Sequence, residues 1–236
     1  MQIILHKADE RGYVNHGWLR SHHSFSFASY YDPSKVHFGM LRVLNDDFIS
    51  GGQGFGTHPH DNMEIITIPL KGALQHKDSM GSGGIITEGE LQIMSAGSGI
   101  THSEFNASQA DPVELLQVWI FPKMNNIEPR YEQKKFDSLY GENAFYTAVG
   151  PLEGDAPLRI CQDAYFSFAS VEAGTKLEYA IKHENNGCYL FVIDGNIQVQ
   201  GTELFSRDAV GISKTEHFEI EALENSLLLA IDVPMN

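Results

Sequence analysis

The sequence predicts an all-β protein built from two packed barrels of the jelly-roll type. Three observations carry that reading. Short apolar runs recur along all 236 residues without sustained helical periodicity. Those runs are punctuated by 22 glycines and nine prolines, the residues of tight turns. A weak internal repeat divides the chain into two similar units. Ile66-Thr67-Ile68-Pro69-Leu70-Lys71-Gly72-Ala73-Leu74 resembles Leu190-Phe191-Val192-Ile193-Asp194-Gly195-Asn196-Ile197, an apolar strand, a glycine turn and a second strand. Gly89-Glu90-Leu91-Gln92-Ile93-Met94 likewise parallels Ser206-Arg207-Asp208-Ala209-Val210-Gly211-Ile212.

The clearest strand signals are residues 40–44, 64–68, 115–120, 197–200 and 227–233, rich in Val, Ile, Leu and aromatics. Between Pro122 and Gln133 the pattern breaks at Pro122, Asn125-Asn126, Pro129 and a charge cluster. The expected division is therefore an N-terminal domain of residues 1–122 and a C-terminal domain of residues 123–236.

Composition narrows the functional classes. The net charge is −15, and no basic face is apparent, so direct binding of nucleic acid or an anionic membrane is disfavoured. Two cysteines, Cys161 and Cys188, are too few for a disulfide framework, and Cys188 reads as a small buried hydrophobe. The start of the chain lacks a signal-peptide pattern, and no apolar run approaches the ~18 residues of a membrane span. A cytoplasmic protein is expected. The sequon Asn106-Ala107-Ser108 is then idle.

The chemistry lies in two short segments, His58-Pro59-His60 and His102-Ser103-Glu104. Side chains two apart on a strand share a face about 6.6 Å apart, so two facing strands can close four ligands on one ion. Imidazole and carboxylate suit iron, manganese, nickel, copper or zinc. Each pair follows a glycine-rich approach, Gly51-Gly52-Gln53-Gly54-Phe55-Gly56 and Gly97-Ser98-Gly99. The first lacks the Lys-Ser/Thr of a phosphate loop, and the second has the wrong spacing for a nucleophile elbow. Pro59 cannot donate to a ladder, which places His58 and His60 at a strand end, bulge or edge. Glu64 competes with Glu104 as the fourth ligand. It lies about 13 Å from His60 along an unbent strand, so Glu104 is favoured and Glu64 is assigned a supporting role, orienting a ligand histidine. His22, His23, His76 and His183 read as exposed or hydrogen-bonded histidines, and Gln117 as an outward polar residue, with a pocket role as the second reading. The second repeat has no His-x-His or His-x-Glu and is expected to be metal-free.

Around these residues the chain resembles the pirins, members of the cupin superfamily. The resemblance runs through residues 25–33, 41–47, 54–60, 78–81, 95–104 and 129–131, and loosens in the C-terminal half. It implies a bicupin, with one metal ion in the N-terminal cupin held by His58, His60, His102 and Glu104. Glu64 stands where many cupins supply a ligand glutamate. Iron(II) is the expected ion, with nickel, manganese, copper, cobalt or zinc as alternatives. The implied activity is quercetin 2,3-dioxygenase-like: cleavage of a flavonol, a small aromatic substrate, by O2 with release of carbon monoxide. Glu104 would be the catalytic base. The alternative is a regulatory protein whose metal redox state governs a protein partner. A third reading is isomerase or other oxygen-independent cupin chemistry on a small metabolite.

Overall fold

A computed structural model describes every residue, Met1–Asn236. Strands dominate it, and the one helical element is the 3-10 turn Ala8–Glu10. No helix is long and apolar enough to cross a membrane. Two sandwiches stand side by side. In the first, a seven-stranded sheet runs in the order Arg130–Lys135, Glu90–Ser95, Glu64–Lys71, Val113–Ile120, Leu41–Ile49, Leu19–His23, Gly12–Asn15. It faces a four-stranded sheet ordered Gly54–His60, Ile100–Asn106, Ala73–Asp78, Gly83–Thr87. The second sandwich pairs an eight-stranded sheet with a four-stranded one.

The internal repeat is a structural one. Glu64–Lys71 turns at Gly72 into Ala73–Asp78, as Asn186–Asp194 turns at Gly195 into Asn196–Val199. Both glycines have positive φ, +79° and +101°, a conformation that costs other residues strain. Glu90–Ser95 pairs with the first of these strands, and Ala209–Ser213 with its counterpart.

Two strands cross the division expected at residues 122 and 123. Gln2–His6 pairs with Ala209–Ser213 in the C-terminal sheet, and Arg130–Lys135 pairs with Glu90–Ser95 in the N-terminal one. The Pro- and Asn-rich break after Ile120 is thus a loop, from which the chain returns to the first sheet before leaving it. Each sandwich holds one strand from the other side of the division.

The two large sheets pack on each other, and a 27-residue apolar cluster fills the space between them. Ile66, Ile68, Leu116 and Val118 enter it from one side, Phe166, Phe168, Tyr189 and Phe191 from the other. Strand alternation then decides which residues face the inside of the N-terminal sandwich. Leu44, Leu116 and Ile66 face the other domain, so Asn45, Asp47, Gln117 and Thr67 face inward. The inside of the C-terminal sandwich is filled by apolar side chains, among them Tyr179, Leu190, Val192, Val199 and Phe218. Cys188 belongs to this cluster, fully buried, and both cysteines are free thiols.

Candidate metal centre and cavity

The strand Gly54–His60 is the edge of its sheet, which accommodates the missing N–H of Pro59. It pairs with Ile100–Asn106 so that His58 faces His102 and His60 faces Ile100. A register shift follows between His102 and Glu104, and such a bulge re-aims the side chains beside it. Gly54 lets the strands approach: a Cβ there would lie 2.3 Å from the Glu104 carbonyl oxygen. Gly97 turns the chain toward the second strand at φ +50°, where a Cβ would strike the Ile127 carbonyl oxygen at 2.2 Å.

The three histidine rings converge. Their centroids are 4.9 Å apart for His58 and His60, 4.4 Å for His58 and His102, and 4.8 Å for His60 and His102. Their nitrogens come within 4.8 Å of one another, as do the ligand atoms of His76, His102 and Glu104. His102 is common to both sets. Burial, aided by its neighbours, pushes His60 down to about 4 and His102 down to about 2, so both imidazoles are neutral with a lone pair to donate.

Hydrogen bonds fix which nitrogen carries that lone pair. The Gly56 carbonyl accepts from His58 Nδ1 at 2.8 Å, which leaves Nε2 as the ring nitrogen free for a ligand. A longer relay acts on His102. Asp78 lies 3.3 Å from His76 Nε2, and His76 Nδ1 lies 3.4 Å from His102 Nδ1. The carboxylate holds a proton on His76 Nε2, His76 Nδ1 then accepts, and His102 Nδ1 donates. His102 Nε2 is left with its lone pair, and that atom is buried without a partner. A buried acceptor of this kind, beside two more imidazoles and a carboxylate, fits a divalent cation. Both nitrogens of His76 are used in the relay, so His76 orients His102.

Glu104 is buried and raised in pKa by that burial, an effect opposed by Gln117. Gln117 Nε2 donates to both carboxylate oxygens at 3.1 Å, and Thr67 Oγ1 donates to Gln117 Oε1 at 3.1 Å. Gln117 is therefore a cavity residue. The outward reading failed because both faces of Val113–Ile120 are covered, so its apolar neighbours carry no in-or-out signal. Glu64 lies on the opposite face from Thr67, one residue out of phase. It accepts from Ser95 Oγ at 2.7 Å and from the backbone of Cys161, and it bonds no histidine. The expected role of orienting a ligand histidine is corrected accordingly: that role falls to His76. His23 and His76 are the hydrogen-bonded, buried kind, bonded to Asn45 and Asp78, whereas His183 is exposed and bonds the Glu184 carbonyl.

His58, His60 and Glu104 open into a cavity of about 420 Å³. Trp18, Phe27, Phe55 and Trp119 wall it, and Ser21, His23, Asn45 and Asp47 form a polar patch within it. Ser21 donates to Asp47, and His23 Nδ1 lies 2.7 Å from Asn45 Oδ1. Burial pushes the Asp47 carboxyl up to about 7 against that bond from Ser21, with Asp46 and Glu104 adding to the rise. The folded state therefore holds a proton that the unfolded chain, with a carboxyl near 3.9, releases earlier. This contribution to stability is complete below pH ~4 and is lost as pH rises through 7. Asp47→Asn keeps the acceptor for Ser21 and removes the titration. Urea unfolding should show the variant gaining about 2 kcal/mol on the parent between pH 5 and pH 8; parallel pH profiles would refute the assignment. Asn106, in the sequon, is buried, and its side-chain nitrogen donates to the carbonyls of Ile49 and Asp111.

A family profile described as Pirin matches residues 5–120, and one described as the quercetinase C-terminal cupin domain matches residues 148–233. The chain is 43% identical over 232 residues to a quercetin 2,3-dioxygenase of Escherichia coli K12, covering 98% of this chain and 99% of that one. It is 40% identical to a pirin-like protein of Caulobacter vibrioides, covering 95% and 96%. The crystal structure of the bacterial pirin YhhW of Escherichia coli in complex with nickel(II) superposes with a TM-score of 0.92, at 41% identity and 99% of each chain. With its two sandwiches so matched along almost the whole length, the chain belongs to the pirin family and is a bicupin.

Proposed function

We propose that this protein is a quercetin 2,3-dioxygenase-like enzyme: His58, His60, His102 and Glu104 hold one divalent metal, iron(II) foremost, beside a cavity that takes a flavonol. The observation that carries this reading is the opening of the histidine cluster and a buried carboxylate into an aromatic-walled cavity. Its volume of about 420 Å³ lies in the range of small-molecule sites. The similarity to a named quercetin 2,3-dioxygenase supports the substrate class.

A divalent metal in this donor set supplies Lewis acidity toward an enolic oxygen and redox chemistry toward O2. The chain's own residues do the rest. Trp119 and Phe27, in edge contact at 5.3 Å, and Trp18 and Phe55, at 5.2 Å, offer ring surfaces to a flat aromatic substrate. Glu104 accepts the proton of the 3-hydroxyl, and Gln117 holds the carboxylate in place for it. The polar patch at Ser21, His23, Asn45 and Asp47 meets the remaining ring hydroxyls. In the overall reaction both atoms of O2 enter the ring-opened ester, and one ring carbon leaves as carbon monoxide.

The test is oxygen uptake by the Fe(II)-loaded protein with quercetin, with His60→Ala as the control. Uptake by the parent that disappears in the variant is the expected result. Absence of uptake with the metal fully bound would overturn the activity and favour a regulatory role, read as partner affinity that changes with metal state.

A further inference from the structure

A second cleft, of about 540 Å³, lies between the two sandwiches on the opposite face of the large N-terminal sheet. Arg20, His22, Asp46 and Phe48 reach it from strands whose alternate residues, Ser21, His23, Asn45 and Asp47, face the metal-side cavity. The sequence has six arginines, and three of them, Arg11, Arg20 and Arg207, line this cleft. They come from separate places in the fold: the segment after the first strand, the N-terminal sheet, and the turn before Ala209–Ser213 in the other sandwich.

The acids beside them do not balance the charge. Asp46 Oδ2 is shared by Arg11 at 3.3 Å and Arg207 at 3.5 Å. Arg20 lies over the Phe48 ring at 3.8 Å and has no ion-pair partner within 4 Å. Glu114 is the other acid on this face, while Asp47 is turned to the far side and bonded to Ser21. His22, tilted against Tyr13 at 4.8 Å, is lowered in pKa by burial and then by Arg11. Three guanidinium groups thus face two carboxylates in a chain whose net charge is −15.

The guanidinium groups are also short of acceptors. Arg11 is buried, with Nε and Nη1 unpartnered, and Arg207 Nη1 is buried without a partner as well. Arg207 is held at φ +71°, a conformation uncommon outside glycine and one found where surrounding structure enforces it. Unsatisfied buried donors on fixed cations are what a small oxyanion satisfies, through short charge-assisted bonds.

We propose that this interdomain cleft binds a small oxyanion, a carboxylate or a phosphate, between Arg11, Arg20 and Arg207. Such a ligand bridges the two sandwiches, since Arg207 belongs to one and Arg20 to the other. The site is separate from the metal-side cavity, so it stands or falls apart from the dioxygenase reading.

Isothermal titration of the metal-loaded protein tests it, with inorganic phosphate in one arm and succinate in the other. Both run in a buffer free of other oxyanions at fixed chloride. One arm should saturate at one anion per chain, and which one does so names the ligand class. Arg207→Gln should weaken binding about tenfold or more, the usual loss for one charge-assisted bond. Arg20→Gln, at an exposed side chain, provides the same reading should Arg207→Gln fail to fold. Glu114→Gln should tighten binding. No saturable binding of either anion, or equal binding by the parent and both arginine variants, would overturn the proposal.

Discussion

Replacing His102 with alanine is expected to strip the protein of its metal. His102 belongs to both sets of converging ligand atoms, and its ring lies within 4.8 Å of those of His58 and His60. It is also the residue on which the Asp78–His76 relay acts. Loss of a partner that only orients a ligand typically lowers metal affinity about 10–100-fold, and loss of the ligand itself should exceed that. Metal analysis after gel filtration should find the parent near one ion per chain and the variant near none. Flavonol-dependent oxygen uptake should vanish with it. The deleted ring leaves His76 without its donor, so His76→Phe, which keeps a flat ring at that place, should lower metal affinity by the smaller amount. Full metal retention by the alanine variant would remove His102 from the site. Equal losses in the two variants would merge the roles assigned to them.

Glu104→Gln should act mainly on turnover. The substitution keeps the size of the side chain and removes its capacity to take a proton. General-base catalysis is typically worth about 10²–10⁴-fold, so kcat with quercetin should fall by that order. Gln117 now donates to both carboxylate oxygens and would meet an amide nitrogen instead, so a weaker grip on the metal should accompany the loss. Metal content and kcat measured on the same samples separate the two effects. Turnover lost in proportion to metal marks a ligand alone. Turnover lost from chains that still hold metal marks a base. Parent-level turnover would exclude Glu104 from the proton transfer.

The two-residue spacings were readable because they need only one strand each: His58 with His60, and His102 with Glu104, share a face by alternation alone. Pro59 narrowed the place to a strand end, bulge or edge, and the structure makes it an edge. The relay was not readable, because it depends on register across strands. Glu104 faces His76 and His102 faces Asp78 only because Ala73–Asp78 pairs with Ile100–Asn106 in that alignment. A trace was present, since His76-Lys77-Asp78 is itself an alternating pair of polar groups on a strand. Asp47 and Gln117 were hidden for another reason. Their strands are covered on both faces, one by the neighbouring sandwich and one by the cavity, so hydrophobic alternation does not say which face is which. The same phase argument, applied once the sheets are known, turns Glu64 away from the histidines. The exchange of strands across residues 122 and 123 was not legible either, because the partner of Gln2–His6 lies some two hundred residues along the chain.

That long-range pairing has a consequence for how the molecule is made. The strand Gln2–His6 has no neighbour until Ala209–Ser213, some two hundred residues later, has been made. The N-terminal sheet can close once Arg130–Lys135 is available, whereas the second sandwich must also wait for Ala209–Ser213 to pair with its edge strand. Contacts so distant in sequence slow folding, because loop closure must be met before they are rewarded. Until then Ile3, Ile4 and Leu5 travel as an unpaired apolar ribbon, open to association with another nascent chain. Docking of Gln2–His6 onto Ala209–Ser213 is therefore a late step, and it ties the two ends of the fold together.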